Sequence, residues 1–316
     1  MYDAGISVFT QQARATFIEQ YGNVAVEAEI ENIMARIPSK GAIENHAWLS
    51  PTPGVSKYDG VRKLGNLRTS VYPIANDTFE NGFTVPKESV DDDQIAGFLK
   101  KADEVAKKAK LFPGRRVLWQ LARGQTDKCF DGTSFFATSH TEGEGNNITT
   151  FSGATSDSTT HYVAALITDS PVKPLFWQSR EEPSLDTDAG TPQARFARKY
   201  NYWADQRGGT GYGYWWDALF VTVTNTPTPA EFIKLLNKIK TTFRTFKLPK
   251  FGPDTTQDEY VHEQRTFNAG NLTLVVSTGL EAIADITSKA ETIEQTTNTM
   301  KGQFKVVTSA YMNSPS

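Results

Sequence analysis

Read from its start, the chain switches between helical and extended spacing of its apolar residues. Val8, Ala13, Phe17 and Ile18 recur at roughly helical intervals, Gly22 interrupts, and Ile30, Ile33, Met34 and Ile37 form a second stripe that Pro38 stops. Two short N-terminal helices packed on a larger body are expected. From Trp48 the pattern becomes short alternating apolar residues broken by glycine and proline, through TPGVSKYDGVRKLGNLRTSVYPIANDTFENGFTVP. Asn81-Gly82, between Thr78-Phe79 and Phe83-Thr84-Val85, suits a two-residue type I′ turn, so a long hairpin or β-arm is expected over 46–86. Such an arm has few core residues for its length and gains little from its own packing. Its covering surface belongs to the body of the protein or to a neighbouring subunit.

The strongest helical signal is DDDQIAGFLKKADEVAKKAKL, 91–111, where Ile95, Phe98, Leu99, Ala102, Val105, Ala106 and Ala109 share one face. Aspartates open it and lysines close it, as the helix dipole favours. Pro113 is expected to interrupt it, with Val117, Leu118 and Leu121 continuing towards Gly124, and the lysines of 100–110 read as a solvated face. Residues 142–160 are small and polar and read as an exposed loop. VAALITD, PLFWQSREEP and YGYWWDALFVTVTN each read as a strand. After Asn225 the pattern is α/β: a capping box at Thr228-Pro229-Ala230-Glu231 opens a helix with Phe232, Leu235, Leu236, Ile239, Phe243 and Phe246 on one face. The run 271–276 is a strand, Thr278-Gly279-Leu280-Glu281 fits a second capping box, and 304–307 is a last strand.

With 316 residues, 38% hydrophobic and 22% charged, the chain has ample material for a folded, soluble core. A formal charge of −3 gives no global attraction for nucleic acid or anionic membranes, so any DNA contact is local and weak. A single cysteine and the lack of a charged, apolar leader point to a reducing, cytoplasmic site of synthesis, and no apolar run is long enough to cross a bilayer.

Candidate chemistry concentrates in CFDGTSFFATSH, 129–140, which gathers Cys129, Asp131, Ser134 and His140. Nucleophilic catalysis needs a base held by a third group, and such groups usually converge from distant segments. No Gly-x-Ser-x-Gly elbow or cysteine-protease signature surrounds these residues, and Asp131-Gly132 is an ordinary turn pair with Phe135 and Phe136 as anchors. His46, His140, His161 and His262 are scattered, without metal-ligand spacing. GGTGYGYWW, 208–216, lacks the ending of a phosphate loop and reads as a bend entering a sheet. Glu181, Glu182, Asp205 and Asp217 near Trp203, Trp215 and Trp216 leave a glycoside hydrolase or an aromatic-rich carbohydrate-binding protein as the alternative reading. No catalytic, cofactor-binding or metal residue is assigned.

Taken in order, NHAWLSPTP, YDGVRKLGNL, YPIANDTFENGFTVPKESVDDDQIAGF, LARGQTDKCFDGTSFFATSH, PLFWQSREEP and GYGYWWDALFVTV resemble the major head subunit (T protein) of Mu-like phages, from about 20 to 310. The shared order and spacing of these blocks carry the resemblance. It implies an α+β, HK97-type major capsid fold with a peripheral domain built on a long spine helix and a sheet, an axial domain, an extended E-loop and an N-terminal arm. Mapped onto this chain, that gives an arm over 1–45, an E-loop over 46–86, a peripheral domain over 87–225 with its spine at 91–123, and an axial α/β domain over 226–316. The implied function is structural, not enzymatic: self-assembly into hexamers and pentamers of an icosahedral virion shell around double-stranded DNA. Scaffold and portal proteins are implied partners, the packaged DNA is touched only weakly and non-specifically, and no membrane or cofactor is involved. Lys57 and Lys63 lie in the arm without an accompanying acid and amide site, so assembly is expected to be non-covalent.

Overall fold

The computed structural model describes residues 4–46, 49, 72–92, 94, 96–248 and 260–315. Helix α1 (Ala4–Asn23) is followed by α2 (Ala28–Ile33), β1 (Met34–Pro38), β2 (Ile43–Asn45), β3 (Pro73–Ala75), β4 (Asp77–Pro86), α3 (Lys87–Asp91) and α4 (Ala96–Ala122). Then come β5 (Ile148–Ser152), β6 (Thr160–Ile167), β7 (Leu175–Thr187), α5 (Pro192–Ala197), β8 (Lys199–Tyr212) and β9 (Ala218–Thr224). The chain ends with α6 (Pro229–Phe243), β10 (Leu272–Val276), α7 (Glu281–Lys289), the two-residue strands β11 (Thr292–Ile293) and β12 (Thr296–Thr297), and β13 (Lys305–Thr308).

Two sheets organise these elements. One has the order β1-β7-β8-β4, with β1 parallel to β7 and the other pairs antiparallel. The other has the order β13-β10-β6-β9-β5, parallel at both outer pairs and antiparallel in the middle. Its central strand β6 buries Val163 through Ile167 without a break, as a strand covered on both faces should. The sheet takes strands from both sides of 225/226, so the expected boundary between peripheral and axial regions passes through one sheet.

Helix α4 ties two cores together. Its first half lays Ala102, Val105, Ala106 and Ala109 against Ile6, Phe9, Ala13 and Phe17 of α1 and against Val85, Tyr200 and Tyr202. Small side chains on α4 let α1 approach closely. Its second half sends Val117, Leu118 and Leu121 into the main core, with Phe135, Phe136, Trp215 and the central strands. At 27 residues the helix spans about 40 Å.

Several local expectations are corrected by tertiary packing. Asn81-Gly82 is not a turn: β4 runs straight through it, paired with β8 from Asp77↔Gly208 to Pro86↔Lys199. A Cβ on Gly82 would press on Tyr202 O and lie 3.1 Å from Trp203 Cα, so close strand approach, not a turn, requires the glycine. The described base of the arm is the pair β2–β3, and 47–48 and 50–71, including Lys57 and Lys63, lie outside the described residues. Pro113 does not interrupt α4 but sits buried inside it. The second N-terminal stripe divides, α2 ending at Ile33 and β1 starting at Met34, while Val8 and Ile18 of α1 face outward. The segment 142–160 contains β5, and YGYWWDALFVTVTN splits into the end of β8, a 3₁₀ turn at Trp215–Asp217 and β9. The box at 278–281 does not form: a 3₁₀ turn at Thr278–Leu280 precedes α7, and Thr278 bonds Asn313 instead.

Candidate functional site

The segment after α4 folds into a polar knot. Asp131-Gly132 makes the expected turn, with Gly132 at φ 81° and N–H bonds from Gly132 to Cys129 O and from Cys129 to Thr133 O. This aims the Asp131 carboxylate back over its own loop. Oδ1 accepts from Cys129 Sγ (3.1 Å), Thr133 N (2.9 Å) and Thr133 Oγ1 (2.6 Å), and Oδ2 from Thr141 N (3.3 Å). His140 Nδ1 lies 2.9 Å from Asp131 Oδ2, and both side chains are sealed from solvent. Burial opposes ionisation of Asp131, yet bonds from His140, Thr133 and Cys129 outweigh it and hold the carboxyl well below the usual range.

Asn147 closes the knot. Its Nδ2 donates to Phe135 O (2.8 Å) and Trp215 O (3.2 Å), which leaves Oδ1 to accept from Ala137 N (2.8 Å) and His140 Nε2 (3.2 Å). The imidazole therefore presents each ring nitrogen to an acceptor and lies flat on Trp215, whose indole N–H bonds Glu142 O. Phe135 stacks on Tyr212 and Phe136 packs on Phe220, anchoring the loop where the sequence placed its anchors.

Chemically the arrangement runs Cys, Asp, His. The acid stands between thiol and imidazole, whereas a nucleophile needs the imidazole between thiol and acid. Burial, reinforced by the Asp131 charge, pushes the Cys129 thiol up and away from the reactive thiolate. Ser134 contributes a backbone bridge to Lys128. Sulfur, carboxylate and ring nitrogen of Cys129, Asp131 and His140 lie within 4.8 Å of one another, so the stretch the sequence singled out does bring these side chains together, although without metal-ligand spacing. Each donor is already engaged in the knot, and a cation would have to break those bonds to enter.

The remaining candidates are dispersed. His46 Nε2 meets Gln178 Oε1 at 2.6 Å, and Gln178 bonds Asn76, which bonds Ser39 and Gly41 O, so His46 anchors the base of the arm to β7. His161 Nε2 sits between the hydroxyls of Thr159 and Thr226. His262 Nε2 donates to Trp216 O, 3.3 Å from Asp217 Oδ1. Burial pushes Asp217 up to about 8 against a bond from Ser170, and pushes His262 down, so the two are neutral neighbours rather than an ion pair. Trp215 and Trp216 are buried and offer no ring to a sugar. Glu182 is taken by Tyr21 and Ser179, Glu181 is exposed on β7 opposite Arg207, and Asp205 lies in mid-β8. Gly208 and Gly211 do not cradle phosphate: side chains of Trp177, Phe176 and Ile74 fill the space a Cβ would take.

The described residues thus form a fold in which a long helix bridges two sheet-based cores. Two solved bacteriophage JBD30 shells match it, the procapsid with TM-score 0.72 at 21% identity over 98% of this chain and 100% of that chain, and the capsid with TM-score 0.70 at 17% identity over 92% of each. The HK97-type α+β fold is thereby confirmed. The family model of the Mu-like prophage major head subunit gpT matches residues 6–245, and the chain belongs to this family. It is 28% identical over 203 residues to the Mu-like prophage FluMu major head subunit of Haemophilus influenzae and 26% over 202 residues to the major capsid protein of Escherichia phage Mu. These matches cover 61% of this chain and 66% of each relative's length. The family and the buried tryptophans both speak against the carbohydrate alternative.

Proposed function

We propose that this chain is the major shell subunit of a phage or prophage head, assembling into hexamers and pentamers of an icosahedral virion around double-stranded DNA. The family match over 6–245 carries this reading. The same-fold JBD30 subunits come from a procapsid and a capsid, which supports a closed shell as the assembly. Its mechanism is repetition. Each subunit contributes modest contacts, and a ring or shell that closes multiplies them into a stable particle. The arm expected over 46–86 reaches a neighbouring subunit as the E-loop through the residues ahead of β3, since β3 and β4 are paired within this subunit, and scaffold and portal proteins join during assembly in the host cytoplasm. In this reading the spine over 91–123, the peripheral region over 87–225 and the axial region over 226–316 take the roles the resemblance implies, with the five-stranded sheet shared across 225/226. Sedimentation of the purified chain tests this: particles far larger than a 35.0 kDa monomer are expected under assembly conditions. Hydrogen exchange over 47–71, the part of the arm that precedes the intramolecular pairing of β3 and β4, should slow on assembly, and a persistent monomer already protected there would refute the proposal.

A further inference from the structure

The outward face of α6 differs from those of the other long helices. Phe232, Leu235, Leu236, Ile239 and Phe243 are fully buried, which turns Lys234, Asn237, Lys238, Thr241 and Arg244 to solvent, and all five are exposed. Glu231, the helix's one acid, is committed to the cap, its Oε2 accepting N–H bonds from Thr228 and Ala154. On α4 three exposed lysines stand beside acids of the same helix, Lys101 and Lys108 with Glu104 and Lys107 with Asp103, while among the described residues exposed Lys100 and Arg115 make no such pair, and on α7 Lys289 meets Asp285. Among the described residues Lys234, Lys238 and Arg244 have no carboxylate at ion-pair distance. Lys238 donates to Thr150 O (2.6 Å) and Arg244 lies over the Phe267 ring, and neither contact removes a charge.

We propose that this face of α6, through Lys234, Lys238 and Arg244, lies against the phosphate backbone of the packaged double-stranded DNA; the proposal rests on the shell reading above. A chain of net charge −3 repels DNA as a whole, so contact has to come from a local, uncancelled set of cations. The three side chains span about 15 Å of helix, enough for a few phosphates, with Asn237 and Thr241 between them as neutral hydrogen-bonding groups. The face carries no aromatic side chain, so it neither stacks on bases nor reads sequence, as a container for any genome requires. Three contacts per subunit are individually weak and readily exchanged, and repetition over the shell makes them effective.

DNA-filled and empty heads of the same phage, treated with a small amine-acylating reagent and read by mass spectrometry, test this directly. Labelling of Lys234 and Lys238 should fall severalfold in filled heads and recover at high salt, with Lys101 as the unchanged control. A K234Q/K238Q/R244Q variant should still form heads of normal diameter. Its purified subunit should bind duplex DNA with a salt slope smaller by about 2.7, at 0.9 per cation removed. Equal labelling in filled and empty heads overturns the inference alone, as does protection in both, which would make a protein the occupant. Failure of the unaltered chain to form heads contradicts the shell reading and the inference with it.

Discussion

His140 lies flat on Trp215, with ring centroids 3.9 Å apart and planes 1° from parallel, so a residue of the 129–140 loop is clamped to the 3₁₀ turn ahead of β9 by an aromatic 75 positions later. The clamp works because Asp131 and Asn147 hold the imidazole at both nitrogens.

Removing Asp131 should loosen this clamp. Asp131→Ala strands the bonds from Cys129, Thr133, His140 and Thr141, at a cost of about 3 kcal/mol in urea unfolding at pH 7. The carboxyl is depressed in the folded state, so its stabilisation is present above the ordinary carboxylate value and lost as pH falls through the folded one. Asp131→Asn should therefore be less stable at pH 7 and lose less on acidification than the parent.

Asp217 has the opposite sign. Its folded value of about 8 lies above the unfolded one, so the associated stability is complete below about pH 4 and is lost progressively as pH rises towards 8. Asp217→Asn should be more stable than the parent at pH 8 by a few kcal/mol and flatten the melting temperature between pH 5 and 8. A variant that melts lower at pH 8 would contradict the buried, neutral carboxyl.

Glycines divide by what surrounds them. A Cβ at Gly213 would strike Lys173 O, a backbone atom that cannot yield, so Gly213→Ala should cost about 2 kcal/mol or more. Nothing lies within 4 Å of a Cβ at Gly97 in α4, so Gly97→Ala should raise stability by up to about 1 kcal/mol. Thermal melts of both variants check the contrast.

What the chain revealed in advance was what local chemistry decides. The box Thr228 to Glu231 formed with both reciprocal bonds, and Phe232 to Phe243 faced the core, because capping and helical spacing act within a few residues. Asn81-Gly82 misled because its turn preference is outweighed by ten residue pairs with β8, more than a hundred positions away. The Asp131-Gly132 turn and the Phe135-Phe136 anchors were legible. Asn147 was not, since nothing in a small polar stretch marks an amide as the partner of His140 and Trp215 O. The nearness of Cys129, Asp131 and His140 was legible in their twelve-residue stretch, but their contact was not, because the turn, not a ligand motif, brings the three side chains together.

Phe196 is 88% exposed on α5, between β7 and β8, an aromatic whose burial requires another molecule. In a shell subunit that molecule is a neighbour. Phe196→Ser should leave the monomer's melting temperature within about 1 °C, since it removes no internal contact, and lower the yield of assembled particles. Particle yield by sedimentation checks it, and an unchanged yield would remove Phe196 from the assembly surface.

An electron micrograph of the chain produced together with its neighbouring genes tests shell assembly most directly. Closed shells of uniform diameter containing this protein as their main component are expected. Only monomers or small oligomers, across all assembly conditions and with the fold intact, would contradict it.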